Sequence, residues 1–257
     1  MTILCIESST SVCSAAICKD GEPIKQCISY EGSNHARLLP RYIEELLSFA
    51  REQALSIEAV ALSEGPGSYT GLRIGASTAK GLCYGLNIPL IPVPTLDVLC
   101  EAARKSLCSV SEAVLIPMID ARRMEVYTAI FDSESKEESR KSKDDRARAV
   151  VVENEESLLF ERSGLSSLSA AVYNLSAQRS YFYFGDGAEK CSKIFTKPNW
   201  HFIPGIVPEA QYMGALAEQI INHKSQITNH QSIDLAYYEP FYLKEFIAAP
   251  SHVKGLN

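Results

Sequence analysis

The sequence predicts an α/β protein of two lobes, each opening with strands and built on a mixed sheet. Three observations carry this. Short apolar runs separated by turn residues begin the chain, strand-like and helix-period runs then alternate, and a second set of strand-like runs starts after Cys108. Strands followed by alternating strand and helix give a mixed sheet covered by helices.

Taken in order, residues 2–7, 13–18 and 23–30 read as short strands. The turn signals Ser8-Ser9-Thr10-Ser11 and Lys19-Asp20-Gly21-Glu22 separate them, which makes a β-meander. A helix follows over residues 40–52, with Pro40 at its start or at a kink, because proline lacks the N–H an interior position uses. Leu39, Ile43, Leu46, Leu47 and Ala50 recur at helical spacing as its core stripe. Next come a strand over 57–62, a glycine-rich loop, a helix to Leu86 and a strand over 90–93. In the second lobe, strands at 114–119 and 125–131 flank Asp120-Ala121-Arg122-Arg123. A strand over 181–184 ends at Gly185-Asp186-Gly187, before a helical start. Residues 133–148 carry charges of both signs and read as a solvated insertion. Residues 163–180 are serine-rich and read as a loop excursion. The lobes divide as 1–105 and 106–257, with the last helix packing back on the first lobe, and no short-period repeat is visible.

A chain of 257 residues, 46% hydrophobic and 22% charged, has the length for a substantial core. Its formal net charge of -6 offers no basic footprint for gripping a phosphate backbone alone. The eight cysteines form no C-x-x-C pair, and buried reduced thiols in a cytoplasmic protein are expected rather than disulfides or a zinc site. The first residues lack a basic n-region, and Glu7 breaks their apolar run, so no signal peptide is expected. No apolar run has membrane-spanning length.

Ser63-Glu64-Gly65-Pro66-Gly67-Ser68-Tyr69-Thr70-Gly71-Leu72-Arg73-Ile74-Gly75 is the most distinctive stretch. Its glycines permit positive φ or close backbone approach, and it feeds a helix N-terminus, a natural place for an anion or a neighbouring chain. The nucleotide templates fail: no Gly-Lys pair precedes a Ser or Thr, and Thr70 stands where G-x-G-x-x-G requires glycine. G-x-S-x-G fails as well, because Ser68 follows Gly67 directly. Ser68 or Thr70 suits an N-cap. Glu7 and Ser8, with Gly65, Gly67 and Ser68, are the candidates for a nucleotide-proximal loop; a polar turn is the plainer account. The five histidines form no H-x-x-x-H or H-E-x-x-H pair, so no metal site is expected, and His35 reads as a surface or interface residue.

Two helices carry more apolar or small surface than a solvated helix needs. On the first, Leu38, Tyr42 and Phe49 form a second stripe, either a wide core face or a contact surface. On the second, Leu72, Ala76, Ala79, Cys83 and Leu86 form the core face. Ile74, Ser77, Thr78, Gly81 and Gly85 lie opposite, where charges are usual. Each interior glycine costs about 1 kcal/mol of helix propensity against alanine. Either another part of the chain or a partner covers this face, and the two stripes together are the candidate subunit interface.

Several of these residues resemble one family. Ile3-Leu4-Cys5-Ile6-Glu7-Ser8-Ser9-Thr10, Asn34-His35-Ala36-Arg37-Leu38-Leu39-Pro40, the glycine loop, Ile119-Asp120-Ala121-Arg122 and Glu239-Pro240-Phe241-Tyr242-Leu243-Lys244 are similar to TsaB (YeaZ) proteins, paralogues of TsaD. The resemblance implies the two-lobed actin-like ATPase fold and a role in forming threonylcarbamoyladenosine in tRNA. It implies a non-catalytic subunit that pairs with TsaD and acts with the ATPase TsaE, or pairs with itself when alone. ATP and divalent metal would belong to the partner subunits, with no cofactor on this chain, and tRNA would be met only through the complex. Where TsaD carries its H-x-x-x-H metal pair, this chain reads Pro92-Val93-Pro94-Thr95-Leu96-Asp97-Val98-Leu99-Cys100. The alternative is an active ATP-dependent kinase or carbamoyl transferase using Glu7 and the glycine loop. A glycoprotease has neither a metal pair nor a triad to support it.

Overall fold

The computed structural model describes residues 1–32, 34–107, 113–132, 147–153, 155, 157–160, 179–226 and 233–244. The sequence-predicted insertion at 133–148 and the serine-rich 163–180 lie almost wholly outside these residues. Only their last residues enter strands.

The first sheet contains β1 (Thr2–Glu7), β2 (Cys13–Lys19), β3 (Glu22–Ser29), β4 (Ala59–Ser63) and β5 (Leu90–Val93), in the order β3-β2-β1-β4-β5. The first three strands are antiparallel neighbours; β4 runs parallel to β1 and β5 parallel to β4. Both faces are covered, which explains why β1 is buried at every residue instead of alternating. Leu4, Ile6, Ala15 and Ile17 face α1 (His35–Glu52) and α2 (Tyr69–Leu86). Ile3, Cys5, Ala16 and Cys18 pack on the other side against Met213, Leu216 and Ala217. The last two residues belong to α5 (Gly214–Gln226), which thus returns to the first sheet after the chain has built the second.

That second sheet contains β6 (Ala113–Asp120), β7 (Glu125–Thr128), β8 (Phe131–Asp132), β9 (Arg148–Val151), β10 (Ser180–Phe184) and β11 (Trp200–Ile203). Its order is β11-β10-β6-β7-β9, with β8 also paired to β6. β6 is antiparallel to β7, β7 to β9, and β10 is parallel to β6 and β11. Read from β9, this repeats the strand order and directions of the first sheet. One face buries Tyr181, Tyr183 and Trp200, with Tyr181 stacked on Trp200 at 4.8 Å. The other buries Leu115, Ile119, Phe131 and Phe184 against Leu96, Leu99 and Ala103 of α3 (Thr95–Ser106). A four-residue helix, α4 (Ser157–Phe160), completes the regular elements among the described residues.

Several expectations need correction. Helix α1 starts at His35, five residues before Pro40, and contains that proline. Pro40 and Ala36 are both exposed, so the carbonyl left without its N–H partner can be hydrated. His35 is buried, its Nε2 3.2 Å from the Val12 carbonyl, rather than on the surface. Leu86 is 45% exposed and leaves the core stripe of α2, whose chain turns away at Asn87 in the left-handed region (φ 54°). The strand expected over 125–131 divides into β7 and β8. At the division Thr128 donates its hydroxyl to the Pro117 carbonyl at 2.8 Å. The seven described cysteines are buried free thiols; Cys108 lies outside the described residues.

Candidate functional site

The glycine loop packs tightly against the turn that follows β1. A Cβ on Gly67 would overlap the Ser9 carbonyl oxygen, one on Gly71 the Ser8 carbonyl oxygen, and one on Gly75 the Ser8 hydroxyl. The Ser68 N–H donates to the Ser9 carbonyl at 2.6 Å, and Ser8 Oγ donates to the Gly71 carbonyl at 2.9 Å. Ser68 is the N-cap of α2, accepting from the Gly71 N–H at 3.4 Å, with Ser68 in an extended conformation. The other end of the loop is tied to α3: Gly65 N–H donates to Thr95 Oγ1 at 3.1 Å, and the Thr95 N–H donates to the Gly65 carbonyl at 3.0 Å.

Glu7 lies beneath this contact, fully buried. Its Oε1 accepts from the Ser9 N–H at 2.7 Å and from Ser9 Oγ at 2.5 Å. Its Oε2 has no hydrogen-bond partner among the described residues. Burial pushes the Glu7 carboxyl above the usual carboxylate range, a shift that the bonds from Ser9, Ser63 and Ser8 only partly oppose. Glu7, Ser8, Gly65, Gly67 and Ser68 are therefore brought together, but as a closed contact. Two carbonyl oxygens and a buried carboxyl face the loop, which is a poor environment for a phosphate. The residues do not fit the phosphate cradle that the actin-like fold would otherwise suggest.

Helix α2, launched by this loop, is covered unevenly. Leu72, Ala76, Ala79 and Cys83 face the sheet. Ile74 and Thr78 are half-buried, and Ser77, Gly81 and Gly85 are exposed. A Cβ on Gly81 or Gly85 would meet nothing within 4 Å. Thr78 donates its hydroxyl to the Ile74 carbonyl at 2.9 Å, so this polar group is satisfied inside the helix. Tyr84, next to this face, is 85% exposed. Ile74 packs on the first-lobe core, so the open part of this face is Ser77, Gly81 and Gly85 with Tyr84 beside them.

The stripe on α1 lies elsewhere. Phe49 has the Lys25 ammonium of β3 over its ring, 5.1 Å from the centroid. Tyr42 is close to Ser29, the last residue of β3, and burial raises its hydroxyl pKa. Leu38, Tyr42 and Phe49 are half-buried and pack on the first-lobe core. Tyr42 and Phe49 thus occupy the flank of α1 over β3, whereas Ile74, Thr78 and Gly85 belong to α2, which packs over β4. Helices α1 and α2 themselves are in contact, and Leu38, Tyr42, Phe49 and Ile74 all pack on the same first-lobe core.

A third feature was not legible as a contact in the sequence: residues 233–244 run along the opposite flank of α2. Leu235 and Tyr238 pack on the first-lobe core. Lys80 Nζ donates to the Ala236 and Tyr238 carbonyls at 3.1 and 3.3 Å. Arg73 lies over the Tyr69 ring at 4.4 Å and donates from Nε to Tyr242 Oη at 3.3 Å, while Tyr242 packs on Tyr69 at 5.0 Å. Phe241 N–H donates to the Glu64 carbonyl at 2.7 Å. Lys244 ends the segment in an ion pair with Glu125 of β7. Exposed ion pairs contribute about 0–1 kcal/mol, whereas fully burying a large apolar side chain contributes about 1.5–3 kcal/mol. Leu235 and Tyr238 are half-buried, so each contributes a part of the full-burial figure, beside the aromatic contact of Tyr242. The signal in the sequence was the pair Arg73 and Lys80 on one flank of an otherwise uncharged helix.

Comparison with known proteins places these features in a family. The family model described as "TsaD: tRNA N6-adenosine threonylcarbamoyltransferase" matches residues 30–250. The chain belongs to the TsaD family. Within it, the sequence is similar to the tRNA threonylcarbamoyladenosine biosynthesis protein TsaB of Bacillus subtilis, 33% identical over 132 residues, 51% of this chain and 55% of that protein. The TsaB of Haemophilus influenzae is 35% identical over 127 residues, 49% of this chain and 52% of that protein. The tRNA N6-adenosine threonylcarbamoyltransferase of a Geobacter species is 34% identical over 113 residues, 38% of this chain and 33% of that protein. The chain spans about half the length of the curated TsaB relatives it matches. The solved structure of YeaZ from Pseudomonas aeruginosa superposes with a TM-score of 0.66 over 94% of this chain and 99% of that one, at 21% identity. The fold is the two-lobed actin-like one. No helix among the described residues is long and apolar enough to cross a membrane.

The glycines of α2 separate into two kinds. Gly71→Ala forces the helix off the Ser8 carbonyl and lowers the thermal midpoint markedly, whereas Gly81→Ala enters open space and stabilises by about 1 kcal/mol through helix propensity. Thermal unfolding of both variants checks the contrast. A second outcome concerns Glu7. A carboxyl whose folded pKa is raised contributes stability below its unfolded pKa and loses it as pH rises through the folded value. Glu7→Gln therefore stabilises the protein at pH 7, and its advantage over the parent shrinks as the pH is lowered towards 4.5, the ordinary Glu value. Unfolding midpoints measured across that range test the sign.

Proposed function

We propose that this chain is a non-catalytic partner subunit in the formation of threonylcarbamoyladenosine in tRNA. It binds TsaD as a heterodimer and supports its activity together with TsaE. The open face of α2 carries this reading: a Cβ on Gly81 or Gly85 would meet nothing within 4 Å among the described residues, and Tyr84 stands exposed beside them. Small residues on a helix let a second helix approach closely. The loop that launches α2 is closed on Ser8 and Ser9, which fits a docking element better than a phosphate cradle. The similarity to proteins named for tRNA threonylcarbamoyladenosine biosynthesis supports the same reading. ATP and divalent metal act on the partner subunits, tRNA is met only in the complex, and in isolation the same face is available to a second copy of the chain.

Reconstitution of the modification from purified components, with and without this chain, tests the proposal. Product that depends on the chain is expected; equal product in both reactions refutes it. Gly81→Leu should abolish association with TsaD while leaving the isolated chain folded with a thermal midpoint no lower than that of the parent, because a Cβ there enters open space among the described residues. Tight ATP binding with turnover by the isolated chain would instead indicate an enzyme with its own active site.

A further inference from the structure

We propose that residues 233–244 form a latch, seated on the first lobe and tied to the second through Lys244 and Glu125, that restrains the angle between the two lobes. This does not depend on the functional reading above. The segment has no strand or helix of its own to hold it, yet it is anchored on both lobes in succession. Leu235 and Tyr238 bind it to the first-lobe core, and Lys80 grips two of its carbonyls. At the mouth of the cleft the backbone of Phe241 is hydrogen-bonded to Glu64, and Gly65 lies so close that any side chain there would overlap the Phe241 carbonyl. Beyond Tyr242 the chain reaches Glu125 on the second lobe through Lys244.

The cleft itself is small, with a volume of about 30 Å³. Glu64, Gly65 and Pro66 line its first-lobe side, Ala129 and Phe131 its second-lobe side, and Phe241 lies at its edge. Relative movement of the lobes would pull Lys244 from Glu125 or draw Phe241 off the glycine loop. The latch therefore opposes opening, adding to the crossings made by α3 and α5. Its anchors on α2, Arg73 and Lys80, sit a half-turn or so from Thr78 and Gly85. The latch and the open face of α2 thus share one helix without sharing residues.

Spin labels carried by unnatural amino acids at positions 44 and 193, one exposed site on each lobe, leave the native cysteines untouched. Pulsed electron resonance then reads the interlobe distance distribution of the full chain and of a chain ending at residue 232. A longer and broader distribution in the shortened chain is expected, and an unchanged one overturns the latch. Should the shortened chain not fold, the charge pair decides. Lys244→Glu broadens the distribution and Glu125→Lys combined with Lys244→Glu restores it; no change on Lys244→Glu overturns the proposal.

Discussion

The closest approach in the first lobe, between the glycine loop with the first turns of α2 and the Ser8–Ser9 turn, sets the position of most of what surrounds it. Gly67, Gly71 and Gly75 follow one another at four-residue spacing, and each one's missing side chain admits an atom of Ser8 or Ser9. Closing that distance seats Leu72, Ala76, Ala79 and Cys83 on β1 and β4. It also places the Ser68 cap at the N-terminus of α2 and holds Gly65 against Thr95, where the chain enters α3. A methyl group at Gly67 or Gly71 would require backbone to give way, and one at Gly75 would displace the Ser8 hydroxyl from its bond to the Gly71 carbonyl.

The same closure accounts for the chemical character of the centre. Glu7 stands at the end of the first strand with one carboxyl oxygen bound to Ser9 and the other without a partner among the described residues. Burying a carboxylate in this way is costly, and the group responds by holding its proton more tightly. A loop that looks like an anion site in sequence is thus turned towards oxygens. The surface that remains available is the outer face of the helix it launches, where Gly81 and Gly85 meet no steric need for glycine among the described residues.

Two sheets of one topology are joined by elements that do not respect the order of the chain. α3 precedes the second sheet and packs on it, α5 follows the second sheet and packs on the first, and residues 233–244 span both. These crossings join the two lobes at several points. They place three different stretches of sequence around one cleft: the glycine loop, the region of β8, and Phe241.

The sequence by itself determined the elements whose cause is local. The continuous apolar run of β1, the turns at Ser8–Ser11 and Lys19–Glu22, the β5 strand and the span of α2 from its serine cap to Leu86 follow from periodicity, turn chemistry and capping. The uncharged face of α2 was visible for the same reason. Only the tertiary structure decided features that depend on distant partners. His35 is buried because Val12 lies over the start of α1, and Pro40 is tolerated because its side of the helix is exposed. The stripe containing Tyr42 and Phe49 meets β3, where Lys25 stands over the Phe49 ring, because α1 lies over β2 and β3. The repetition of the first sheet by the second was invisible, since hydrogen-bond order is shared where residue identities are not. The glycines of the loop are alike in sequence to those of Gly81 and Gly85. Contact with Ser8 and Ser9, more than 50 residues earlier in the chain, is what separates those that the fold requires from those it leaves open.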